Sequence, residues 1–218
     1  MQRVYDAGAA SGGGGGGGGD MSAFWDVFQD YGNRTDYTYA FYGEGWTDET
    51  FNPKYTVKPT GKGANNMFWT SRVTTIDRTK VDFSQASAVQ GACRVTTLKS
   101  ADVDVENAAS LTMTFATASK LESVIIRNLS PDCTLQGIFS GCSSLRDLQL
   151  SRSTIGSTLA VSDCVNLTSD SLFLGIIINL YNFANSGTTP YVQMGETNLA
   201  KLTDEQKAVA TQKGWTLT

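Results

Sequence analysis

Four cysteines, a run of alternating carboxylates and one lysine between glycines are the groups whose spacing admits chemistry. Cys93, Cys133, Cys142 and Cys164 are separated by 40, 9 and 22 residues. No C-x₂-C pair occurs among them, which argues against a Cys₄ zinc centre. Disulfides are a second use. Burial as small apolar residues is a third, and the repeat described below favours it. Asp102, Asp104 and Glu106 alternate with Val103 and Val105, so a strand would array three carboxylates on one face. That face is either a calcium site or a solvated surface, and the ligand spacing of a dedicated calcium loop is missing. Thr60-Gly-Lys-Gly63 lacks the leading glycine of a phosphate loop and the hydroxyl after Lys62. Asn33, Asn128 and Asn166 open glycosylation sequons, which matter only in an exported chain.

The 218 residues include no histidine. That removes Ser-His-Asp and Cys-His catalysis, His-ligated zinc and haem with a histidine axial ligand. The 17 basic and 21 acidic side chains leave a net charge of −4, the wrong sign for a nucleic-acid footprint. The longest apolar run, Leu172 to Leu180, falls well short of the roughly 18–20 residues of a membrane span. The expectation is a non-enzymatic protein that needs no cofactor and no metal.

Self-similarity supplies the elements that position everything else. Arg72-Val-Thr-Thr-Ile76 returns as Arg94-Val-Thr-Thr-Leu98. With Val73 as anchor, Val95, Leu121, Leu145 and Leu167 follow at spacings of 22, 26, 24 and 22. Six residues before each anchor stand Met67, Val89, Phe115, Phe139 and Val161, all apolar. Three before it stand Thr70, Ala92, Ala118, Cys142 and Cys164, all small. Three after it come Ile76, Leu98, Val124 and Leu148, and then Asp170 breaks the pattern. A Leu-x-x-Leu-x-Leu segment makes a short strand with one apolar side, which a single unit cannot bury without neighbours. The fold class expected is therefore an α/β repeat solenoid, a stack of short β-strands with an N-terminal helix and a C-terminal helical cap.

Residues 67–172 form the expected solenoid. Before it, residues 20–66 carry a short helix opened by Asp20, with Met21, Phe24, Trp25 and Phe28 at helical spacing, and then an aromatic segment. Tyr37, Tyr39, Phe41, Tyr42, Trp46, Phe51 and Tyr55 in that segment either bind sugar or peptide or, more simply, plug the open end of the stack. Residues 1–19 read as an anchoring peptide and a glycine run, Gly12 to Gly19. The run is either a flexible tether spanning roughly 15 Å or an extended form packed against neighbouring copies. At the other end, residues 173–218 make the cap. Leu172 to Phe183 reads as a buried helix capped by Ser169 or Asp170, Tyr191 to Met194 as a strand, and Thr203 with Gln206 as a capping box. Gly214 ends that helix, and Trp215 to Leu217 close the fold.

The strings Phe115-Ala-Thr-Ala118-Ser-Lys-Leu121-Glu-Ser-Val124 and Phe139-Ser-Gly-Cys142-Ser-Ser-Leu145-Arg-Asp-Leu148 resemble the BspA-like class of leucine-rich repeats, whose units read F-x-x-C-x-x-L-x-x-[IV]. The resemblance covers roughly residues 67–172, and the first two units depart from it by lacking the phenylalanine. Phe24-Trp-Asp26, Tyr31 to Tyr37 and Phe51-Asn-Pro-Lys-Tyr55 are similar to the leader before such repeats in proteins of gut bacteria and their phages. The Lys-Gly-Trp ending also resembles the close of many proteins in this class.

Between the inward anchors, Thr75, Thr97, Ser123 and Asp147 form one expected outward row, with Asp77, Lys99, Ile125 and Gln149 beside them. Such a face is either a solvated sheet or an extended surface for proteins or glycans. With no signal peptide visible and cysteines that look reduced, the reading is a phage virion structural protein. It would be an appendage, fibre or decoration that contacts host-surface protein or glycan. Met1, Gln2, Arg3, Val4 and Tyr5 would anchor it to other virion proteins. A homo-oligomer is expected, although no heptad run specifies one. The alternative is a bacterial surface adhesin or secreted protein-binding module, exported by an unseen route.

Overall fold

A computed structural model describes residues 35–218. The expected anchor, glycine run and Asp20 helix lie outside the described residues. The fold is α/β, with parallel strands in two sheets and few helices. The first sheet has the order β1 (Thr75–Asp77), β2 (Ser100–Asp104), β3 (Ser123–Arg127) and β4 (Asp147–Ser151). The second has β5 (Leu159–Ala160), β6 (Tyr191–Gln193) and β7 (Thr216–Leu217). Among the described residues, no helix is long and apolar enough to cross a membrane.

Apolar alternation places the strands. Ile76, Ala101, Val124 and Leu148 form one inward row, with Val103, Ile126 and Leu150 beside it. Behind the sheet, each segment donates N–H groups to carbonyls of the following one. Phe41 donates to Met67, Phe68 to Ala92, Cys93 to Thr114 and Phe115 to Ile138, at 2.9–3.0 Å. These bonds align Phe41, Phe68, Cys93, Phe115 and Phe139 in one buried column. Phe41 stacks on Phe68 at 5.3 Å and Phe115 on Phe139 at 5.8 Å. Burying each ring is worth about 1.5–3 kcal/mol. The column corrects the sequence register, which assigns Met67 and Val89 to the phenylalanine positions. Phe68 and Cys93 hold them, and Cys93 fills a ring position rather than a small corner.

A second column recurs in the backbone. Tyr39, Asn66, Gly91, Met113 and Gly137 are joined by the same pattern of bonds, and all are left-handed, with φ between 52° and 62°. Each marks the same corner, where a side chain other than glycine costs about 1–2 kcal/mol. The aromatic segment belongs to this arrangement. Tyr37 donates to Gly63 at 2.7 Å, and Tyr37, Phe41, Trp46 and Phe51 are buried at that end of the core.

After β4 the pattern changes. The expected helix from Leu172 to Phe183 is instead a wide π-type turn over Ser171–Ile176 followed by a 3₁₀ turn over Ile177–Asn179. Asp170 stands at its N-terminal boundary, as one of the two expected caps, but makes no side-chain capping bond. The Thr168 hydroxyl oxygen accepts from the Ser171 N–H at 3.1 Å. Helix α1 (Glu196–Leu199) follows, then α2 (Asp204–Gln212), whose capping box joins Thr203 and Gln206 as expected. The Lys213 ammonium donates to the carbonyls of Ile177, Ile178 and Leu180, and Trp215 Nε1 donates to Tyr181 at 2.8 Å. Burial lowers the Lys213 pKa. The Lys-Gly-Trp ending thus ties the last helix to the turn after β4.

Candidate functional site

The outward side of β1–β4 presents two full rows. Thr75, Ser100, Ser123 and Asp147 make the first, and Asp77, Asp102, Ile125 and Gln149 the second. Six of the eight residues expected from the sequence are in these rows. Thr97 and Lys99 are not, because β2 begins only at Ser100. Thr97 lies in the preceding turn, donating from Oγ1 to the Val73 carbonyl at 3.0 Å, and Lys99 N–H donates to Thr74 at 2.8 Å. The β1–β2 interval is 25 residues, whereas the repeated Arg-Val-Thr-Thr string spans 22, so the string is displaced from the strand register.

A third, shorter row holds Asp104, Arg127 and Ser151. Arg127 reaches diagonally to Asp102 with both ends of its guanidinium, at 2.7 and 3.0 Å, and Arg78 approaches the same carboxylate at 3.7 Å. The hydrogen bond that Arg127 donates to Asp102, aided by the charges of Asp102 and Asp104 against burial, raises the Arg127 pKa. Asp104 takes both oxygens to the Asn128 amide. Two members of the carboxylate run are therefore cross-linked to their neighbours, and Asn128 of one sequon is occupied. Burial opposes ionisation of Asp77, but hydrogen bonds from Thr79 and Lys80, with the Lys80 charge, outweigh it and lower its pKa. These half-exposed pairs fix side-chain orientation more than they stabilise the fold.

Both edges of the sheet are closed by side chains. At β1, the Asp48 carboxylate accepts the N–H groups of Thr74 and Thr75 and the Thr74 hydroxyl. At β4, Ser171 Oγ accepts from Leu148 N–H at 3.0 Å and donates to the Arg146 carbonyl at 2.9 Å. Gly175 lies so close to β4 that a Cβ there would stand 2.3 Å from the Leu148 carbonyl oxygen. Between β4 and this turn runs a cleft of about 480 Å³, lined by Asp147, Gln149, Thr168, Asp170, Leu174 and neighbouring backbone. Sequence reasoning missed this cleft, because Thr168, Asp170 and Leu174 meet Gln149 only through tertiary packing. Ser100, Asp102 and Arg127 were within reach, since strict alternation through Val103 and Val105 sets the β2 register.

The other candidates are structural. All four cysteines are free and buried. Burial pushes the Cys133 thiol up to about 11 and Cys164 to about 12, and raises Cys93 and Cys142 further. The Cys142 and Cys164 thiols donate to the carbonyls of Phe115 and Phe139. In Thr60–Gly63, a Cβ on Gly63 would stand 2.2 Å from the Thr35 carbonyl, so that glycine serves chain packing. The amide of Asn166 donates to the Ser143 carbonyl at 2.8 Å. No protein-family model matches the chain, and no curated protein or solved structure matches it significantly.

Proposed function

We propose that the chain is a non-enzymatic solenoid of the leucine-rich-repeat type that presents its β1–β4 face to a partner. We further propose that it does so as a phage virion structural protein, an appendage, fibre or decoration touching a host-surface protein or glycan. The in-register outward face carries this reading. Its rows are held by backbone pairing, and its charged members are already oriented by Asp102–Arg127 and Asp104–Asn128. A surface fixed before contact loses little entropy on binding. Strand offsets of 23–25 residues and the recurring left-handed corner support the solenoid. Raised, buried thiols supply no thiolate nucleophile, which supports a non-enzymatic role. Four unpaired cysteines also suit folding in a reducing cytoplasm before release, and this favours a virion component over an exported adhesin.

Mass spectrometry of purified virions tests the proposal. The polypeptide is expected at a stoichiometric level, and a chain lacking residues 1–19 is expected to fold but stay out of the particle. Recovery only from the bacterial envelope or medium would overturn the virion reading in favour of an adhesin.

A further inference from the structure

We infer that the cleft between β4 and the Ser171–Ile176 turn receives a lysine or arginine side chain of a partner protein. This rests on the reading of the β1–β4 face as a contact surface, and it names the end of that face where recognition is concentrated.

The balance of donors and acceptors carries the inference. The Thr168 hydroxyl proton goes to Ser171 Oγ, and the Ser171 proton to the Arg146 carbonyl. Among the lining side chains, that leaves the Gln149 amide as the remaining donor group. Acceptors are plentiful. Asp170 and Gln149 make no side-chain hydrogen bond or ion pair with another described residue. Asp147 has a single ion contact, to Arg146 Nε at 3.3 Å, and Arg146 is itself shared with Glu122 at 3.0 Å. A site rich in acceptors and short of donors suits a ligand that only donates. Ammonium and guanidinium groups are such ligands, carrying three and five N–H donors and no acceptor. A neutral saccharide brings as many acceptors as donors, and no aromatic ring lines the cleft to stack on it.

The apolar wall completes the match. Leu174 lines the cleft and is 59 % exposed. Lysine and arginine carry an apolar stem beneath a charged head, so the stem lies on Leu174 while the head meets Asp170 and Asp147. The walls are set in advance by Ser171 bridging to β4 and by the close approach of Gly175. The net charge of −4 favours a basic partner at longer range.

The test is an amide-shift titration of the ¹⁵N-labelled full chain with three probes: acetyl-Leu-Arg-Leu-amide, the same peptide with neutral citrulline for arginine, and cellobiose. The arginine peptide is expected to shift Gln149, Asp170, Leu174 and Gly175 saturably, with citrulline about tenfold weaker. Asp170→Asn, at an exposed position, is expected to weaken the arginine peptide by about fivefold at low salt and by less at about 300 mM. Leu174→Asn is expected to weaken both peptides. Equal binding of arginine and citrulline, cleft shifts with cellobiose alone, or no cleft shift with any probe overturns the inference. Shifts confined to β1–β3 overturn it too while leaving the contact face standing, whereas loss of the polypeptide from virions sinks only the wider reading.

Discussion

The sheet of β1–β4 and the segment after β4 solve the same problem in opposite ways. Between β1 and β4, each strand pairs in parallel with the next, 23–25 residues on. After β4, the edge is met by a hydroxyl, Ser171, and by a glycine pressed against Leu148. An open strand edge invites pairing with another chain. The comparison teaches that parallel pairing stops where side chains take over hydrogen bonds that backbone would otherwise make.

Four substitutions probe the difference. Phe115→Ala removes the ring that stacks on Phe139 in the buried column and is expected to cost about 3–5 kcal/mol in urea unfolding. A cost below about 1 kcal/mol would mean that the column does not hold the units together. Gly175→Ala strikes the ending instead. Its new methyl must push the turn off β4, costing about 1–3 kcal/mol and freeing an edge. Concentration-dependent association in light scattering is the expected sign, and an unchanged monomer of wild-type stability would contradict the account of the edge. The smallest effect belongs to the corners. Met113 is exposed and left-handed at φ 55°, so Met113→Gly is expected to stabilise the fold by about 1 kcal/mol. Gly137→Ala, one unit on, is expected to cost about as much. If both leave the unfolding midpoint unchanged, the corners store no strain.

Legibility in the sequence followed the range of the interactions. The Thr203–Gln206 capping box is a four-residue device and was readable as it stands. The third and fourth units were readable because Phe115 and Phe139, Leu121 and Leu145, and Val124 and Leu148 keep one spacing of 24 residues. The second unit was not, because its loop lengths differ and the five-residue string Arg94 to Leu98 matched Arg72 to Ile76 outside the register. Burial decides that register, and it puts Leu98 where Val73 stands, three residues before its strand row. The π-type turn left no local signal. Asp170 where a strand residue was due marked that the pattern failed, but the replacement depends on Ser171 reaching Leu148 through space. Of the outward face, the rows through β1, β3 and β4 were legible and the cleft was not.

The column of backbone bonds behind the sheet has an electrical consequence. From Tyr37 to Thr117, the N–H groups point toward the following unit and the carbonyls that accept them point back. Peptide dipoles aligned in this way add up, as they do along a helix, but here they run across the chain from one unit to the next. The later end of the column therefore carries partial positive charge on its outward-pointing N–H groups. At that end the Gly141 N–H is bound at 3.0 Å by the Asp163 carboxylate. Asp163 does for the column what an acidic residue does at the start of a helix, and it places a negative charge where the column's own field calls for one.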